Sequence, residues 1–142
     1  MNQIVSEKTS QVKELLNELK IDLWLTFVRE TSAAMDPVLP LIYGDSDLTW
    51  QSALLFSKDG YRCAIVGRFE VETAENTGAF DRVIPYDESL EPILLEELKQ
   101  INPGQIAVNI SKDDVLADGL SHGMYLNLVE ILKDSPFKTR IL

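Results

Sequence analysis

Residues 105–132, QIAVNISKDDVLADGLSHGMYLNLVEIL, join a short apolar strand pattern, a polar switch and an amphipathic helix in one unit. Ile106, Ala107, Val108 and Ile110 form a brief apolar run suited to a strand covered on both faces. Asn109 and Ser111 are expected to turn this run toward solvent and to cap the next element. A helix is predicted over residues 123–132, so the whole reads as a strand followed by a helix. The segment also carries His122, the only histidine.

Working outward, apolar periodicity predicts an amphipathic first helix with Val5, Val12, Leu15, Leu16 and Leu19 on one side and Ser6 or Ser10 as its cap. LWLTFV at residues 23–28 is a dense strand signal. Residues 52–67, SALLFSKDGYRCAIVG, read as two strands around Lys58, Asp59 and Gly60, a tight turn in which glycine supplies the positive backbone angle. A short helix over 70–76, a strand over 82–86 and a helix over 90–101 come next, the last capped by Ser89, with Pro92 in its first turn and a stop at Asn102-Pro103-Gly104. Residues 137–142 look like a last strand. Strands alternating with helices, plus one hairpin, predict an α/β fold in three layers, a mixed sheet with helices on both faces. The one long irregular segment is 29–51, with room for a short helix over 38–43; irregular loops of this length are often functional.

The chain has 142 residues, within the range of one domain. Its 13 basic against 23 acidic residues give a formal charge of -10, which repels phosphate backbones and anionic lipid, so neither nucleic acid nor a membrane surface is expected as a partner. No run is apolar and long enough to span a bilayer, and the amino terminus lacks a secretory pattern. Cys63 stands alone among apolar neighbours, which excludes an intrachain disulfide and fits a reducing cytoplasm. The glycines form neither a dinucleotide fingerprint nor a phosphate loop.

Four features in order carry a resemblance: Ile21-Asp22 before a hydrophobic strand, Leu41-Ile42-Tyr43-Gly44 before a hairpin, Phe69-Glu70 opening a helix after its second strand, and NISKDDVLADGLSHGMYL between strand and helix. In this order the chain resembles the amino-terminal domain of the creatinase, prolidase and Xaa-Pro aminopeptidase family. The resemblance implies a ribonuclease H-like mixed sheet over residues 1–142 that does no chemistry, helps form a homodimer and borders the active site of the neighbouring subunit. It implies that the pita-bread catalytic domain lies beyond Leu142 in the same polypeptide. That domain would hold two divalent metal ions in peptidase members and none in creatinases, and this chain is expected to bind no cofactor.

Within the chain, His122 lacks the companions a histidine metal site needs and reads as part of a helix start with Ser121 and Gly123. Asp113, Asp114 and Asp118 could hold magnesium for phosphoryl transfer, but acidic residues opening a helix are also stabilised by its dipole. In the long loop, Asp45, Asp47 and Trp50 either cap turns and cover the core edge or line a substrate pocket. The resemblance places this loop toward the partner's active site. Arg68 could pair with a substrate carboxylate through its planar fork, or with Glu70 or Glu72. Three readings stand: a non-catalytic domain of a creatinase or Xaa-Pro peptidase-like protein, a free-standing module binding a small molecule or serving regulation, and a magnesium-dependent phosphoryl-transfer enzyme.

Overall fold

The computed structural model, which describes residues 3–142, has a five-stranded sheet with apolar side chains packed on both of its faces. β1 (Leu23–Val28) pairs antiparallel with β2 (Ser52–Ser57), Leu23 opposite Ser57 and Val28 opposite Ser52. β2 pairs antiparallel with β3 (Arg62–Gly67), β3 parallel with β4 (Arg82–Tyr86), and β1 parallel with β5 (Ile106–Ala107). The order across the sheet is β4-β3-β2-β1-β5, so β2 alone runs against the other four. The three-layer mixed sheet is as predicted. Its consequence for function is that β1, β3, β4 and β5 all deliver their carboxyl ends to one edge.

The two-residue alternation of strand side chains sorts the core into two halves. Leu23, Leu25, Phe27, Ala53, Leu55, Cys63 and Ile65 point to one face, where they meet Leu94 and Leu98 of α4 (Glu91–Ile101) and Met124, Leu128 and Leu132 of α5 (His122–Leu132). Val28, Leu54, Phe56, Ala64 and Val66 point to the other, against Val12 and Leu16 of α1 (Gln3–Leu19), Leu39 and Ile42 of α2 (Leu39–Ile42) and Ala74 of α3 (Val71–Asn76). The β2–β3 turn contains Gly60 at φ 93°, as its role in the turn requires. Asn102 ends α4 in the left-handed conformation, its N–H donating to Leu98 O at 2.7 Å.

Several expectations need correction. On α1 the buried stripe is Val5, Thr9, Val12 and Leu16, whereas Leu15 and Leu19 are 51% and 67% exposed. The helix carries two overlapping apolar stripes, and α1 buries the one in which Thr9 can satisfy its hydroxyl by donating to Val5 O at 2.8 Å. Ser6 and Ser10 lie inside this helix rather than capping it. Helix α4 begins at Glu91 with Leu90 at the cap position; Ser89 contributes by accepting from Glu91 N at 3.2 Å. Strand β5 is only two residues long, because Asn109 turns inward and not toward solvent, being 8% exposed. Residues 136–140 form a 3-10 helix capped by Ser135, with only Ile141 bridging to Ile106. Pro136 cannot donate to a ladder, and Phe137 is drawn into the α4–α5 core.

At the end of the sheet that holds the β2–β3 turn, Asp22 ties three segments together. Its Oδ1 meets Lys58 Nζ at 2.8 Å, and its Oδ2 accepts from Gly104 N and Gln105 N at 2.8 and 3.1 Å. The Lys58 ammonium is the main reason its carboxyl titrates below the usual carboxylate range, with the two amides adding to the effect against a burial penalty.

Candidate functional site

The segment from Arg29 to Gln51 crosses the carboxyl edge of the sheet between β1 and β2, and local hydrogen bonds hold it there. Glu30 N donates to Thr49 O and Thr31 N to Leu48 O, while Thr31 Oγ1 accepts from Leu48 N at 2.8 Å. The Glu70 carboxylate, on the 3-10 turn Arg68–Glu70 after β3, accepts from the backbone N–H groups of Thr49 and Trp50 at 2.9 to 3.1 Å. This pins the backbone under Trp50. The indole then packs against Gly67, where a Cβ would come within 2.5 Å of Trp50 Cε3. Gly67 has φ -58°, so its need for glycine comes from this close approach and not from backbone strain.

An aromatic group results. Trp50 meets Tyr86 at 5.8 Å between ring centroids and Phe69 edge-on at 6.2 Å. Tyr86 donates its hydroxyl proton to Gln51 O at 2.7 Å, and burial chiefly raises that phenol's titration to about 12. Phe69 is 89% exposed and Trp50 40%, an unusual apolar surplus for a surface. Beside them Arg68 forms a two-pronged pair with Asp87, Nε to Oδ1 at 2.5 Å and Nη2 to Oδ2 at 3.2 Å. The Arg68 bond holds the Asp87 carboxyl below its usual range. Glu70 and Glu72 are therefore not the partners of Arg68. A pocket of about 600 Å³ opens here, lined by Arg29, Glu30, Trp50, Tyr86, Asp87 and Glu88 among others.

Of the four residues singled out in the sequence, Trp50 lines this pocket, Arg68 lies outside its lining and pairs with the lining residue Asp87, and the two aspartates are elsewhere. Asp47 is exposed and accepts from Thr31 Oγ1 at 3.2 Å, a turn contact. Asp45 is exposed and faces a different groove, with Tyr43, Thr73 and Asn76. Asp114 and Asp118 serve turns: Asp114 accepts from Leu116 N at 3.0 Å and Asp118 from Ser111 N at 3.1 Å. Among the described residues no group of three His, Cys, Asp or Glu is placed to hold a metal ion. His122 is exposed at the start of α5, where Ser121 caps the helix by accepting from Met124 N at 3.2 Å.

The residue that sequence reasoning missed at this edge is Asp36. It is 3% exposed and accepts from Val38 N at 3.0 Å and from Asn109 Nδ2 at 2.8 Å. Asn109 Nδ2 also donates to Thr26 Oγ1, and its Oδ1 accepts from the Trp24 indole N–H at 2.6 Å. A Cβ on Gly119 would overlap the Asp36 carboxyl at 2.0 Å, so glycine there lets the two loops close. This network clamps the 29–51 segment to the loop following β5. Its sequence signal was an aspartate before proline and an asparagine inside an apolar run, neither of which specifies a distant partner.

No protein-family model matches the chain, and no curated protein matches it. Among solved structures it is similar to the creatinase/prolidase N-terminal domain of an X-Pro dipeptidase from Streptococcus pyogenes, with a TM-score of 0.64 and 16% identity over 89% of this chain and 88% of that one. A proline dipeptidase structure from Streptococcus pneumoniae gives a TM-score of 0.65 and 21% identity, covering 94% and 93%. An Xaa-Pro dipeptidase from Bacillus anthracis gives 0.62 and 15% over 88% of this chain but only 30% of that longer one. At these identities the likeness concerns architecture, and the chain has the fold of the creatinase/prolidase N-terminal domain.

Proposed function

We propose that this chain is the non-catalytic amino-terminal domain of an Xaa-Pro peptidase or creatinase-like hydrolase, that it helps assemble the dimer, and that its Trp50 edge borders the partner subunit's substrate site. The observation that carries the reading is the exposed Trp50–Phe69 pair at the edge where four strands end. In open α/β sheets that edge is the usual place for ligands, and large exposed aromatics there mark a surface to be covered. Arg29, Glu30, Asp87 and Glu88 are the charged residues of its lining, so this pocket offers aromatic area and no net positive charge. Cys63 is buried, and burial pushes its thiol up to about 12, far from the thiolate a nucleophile requires.

The catalytic half, with whatever metal it holds, would come later in the same polypeptide. The test is Trp50→Ala in the full-length protein. We expect kcat/KM to fall by about tenfold or more, a loss of roughly 1.4 kcal/mol in transition-state binding, with the thermal midpoint nearly unchanged. A large fall in the midpoint with unchanged kinetics would assign Trp50 to the core and leave the domain an architectural role.

A further inference from the structure

The charges around the Trp50 pocket do not balance. Its lining sets three carboxylates, of Glu30, Asp87 and Glu88, against the single guanidinium of Arg29. Asp87 is already bound to Arg68, but the exposed carboxylates of Glu30 and Glu88 enter no hydrogen bond or ion pair among the described residues. Arg29 carries its charge toward α5: its Nη2 lies 3.5 Å from where a Cβ of Gly123 would stand, and no α5 residue lines this pocket. The Glu70 carboxylate that holds the Trp50 backbone adds to the negative field, being, after burial, the second cause of the high titration of Tyr86. Glu30 is also fixed in place. It holds φ 47°, a conformation that side chains disfavour, through its N–H to Thr49 O at 3.0 Å and its carbonyl, which accepts from Ala33 N and Ala34 N at 2.9 and 3.2 Å. One unpaired carboxylate is thus borne on backbone tied to the residue before Trp50.

We infer that this pocket takes an organic ammonium ion, held by the Trp50 ring and the Glu30 and Glu88 carboxylates. A cation over the face of an indole is attracted by the ring quadrupole, and Trp50 is 40% exposed beside Tyr86. An ammonium brings three donors to the two unpaired carboxylates, and an apolar stem suits the aromatic wall. A hard metal cation needs several oxygen ligands at once, and among the described residues no three acidic or metal-binding side chains are grouped for one. An anion would meet the same unpaired carboxylates and be repelled. The inference rests on the reading of this pocket as a ligand site and names the charge of its ligand. Every group it uses belongs to this chain, so it needs nothing from a partner subunit.

The test is a nitrogen-15 NMR titration of the 142-residue chain at about pH 6.5, below the α-amino range of about 7.7 to 8.0. L-leucinamide supplies an α-ammonium, Nα-acetyl-L-lysinamide a side-chain ammonium, and N-acetyl-L-leucinamide a neutral counterpart. A saturable shift is expected at the Trp50 indole N–H with the ammonium ligands and not with the neutral amide; the ammonium that saturates at the lower concentration names the source. The chain's other tryptophan, Trp24, whose indole donates to Asn109 Oδ1, is the internal control and should not move. Changing Glu30→Gln and Glu88→Gln together alters two exposed side chains and should weaken binding about threefold or more. An equal response to the neutral amide, no saturation, or an unchanged dissociation constant in the double variant would overturn the inference. Its failure is distinct from that of the proposed function: no ammonium binding, with kcat/KM lost in full-length Trp50→Ala, rejects the ammonium and keeps the pocket's role in substrate handling. Ammonium binding with unchanged kinetics upholds the inference and rejects that role.

Discussion

The two ends of the sheet are built on opposite plans. Around the β2–β3 turn, charge is tied down: Asp22 holds Lys58 and two amides of the segment entering β5, and the Glu97 carboxylate is sunk beneath Tyr61. At the carboxyl edge the backbone is pinned just as firmly, by Glu70, Asn109 and Asp36, yet the pinning serves to hold aromatic area outward. One end closes its polar groups on one another, whereas the other uses hydrogen bonds from Glu70 to the Thr49 and Trp50 backbone to present Trp50 and Phe69, and is shaped for a second surface. Rigidity alone does not separate structure from function here; what is left facing solvent does.

The contrast is open to attack in order of expected effect. Leu98→Ala removes a fully buried side chain from the layer that both ends share and should cost about 2 to 5 kcal/mol, read by denaturant unfolding. A loss that small substitutions elsewhere could match would mean that α4 is not the common floor. Gly67→Ala should cost about 1 to 3 kcal/mol by forcing the Trp50 ring off its seat, with a change in tryptophan fluorescence. Most of that cost should vanish in the Gly67→Ala, Trp50→Ala double variant, because φ at Gly67 already suits alanine.

At the other end, Asp22→Asn should cost about 1 kcal/mol near neutral pH. The Asp22 carboxyl is depressed in the folded chain, first by Lys58, so its contribution is present above the ordinary value of 3.8 and is lost as pH falls through the folded value. Thermal midpoints of the variant should accordingly fall less steeply in acid than those of the parent. The smallest effect belongs to Leu15→Ala, within about 0.5 kcal/mol, because that leucine faces solvent. A cost near that of Leu98→Ala would restore the apolar stripe expected from the sequence.

Much of the architecture was legible in the residues alone. Strands β1 and β4 and the β2–β3 hairpin fall where their apolar patterns predicted, because two-residue alternation and a glycine turn are local properties of the chain. Of the candidate site, the sequence singled out the loop that carries Trp50, which lines the pocket, and Arg68, which pairs with the lining residue Asp87. It could not identify Asp87 as the partner of Arg68, nor Gly67 as the seat of Trp50, since both contacts join segments that meet only when β2, β3 and β4 pair.

Sequence by itself determined strands β1 to β4, helices α1, α4 and α5, and a mixed sheet covered on both faces, because local backbone preference and apolar period suffice for those, but not for the last segment, which is a 3-10 helix and not the expected strand. Only the tertiary structure decided which stripe of α1 is buried, that Asn109 turns inward to Asp36, and that four strand ends share the edge where Trp50 and Phe69 stand exposed. Those outcomes depend on which distant surfaces meet, and a buried polar side chain goes where its hydrogen-bond partners are, whatever its neighbours in sequence prefer.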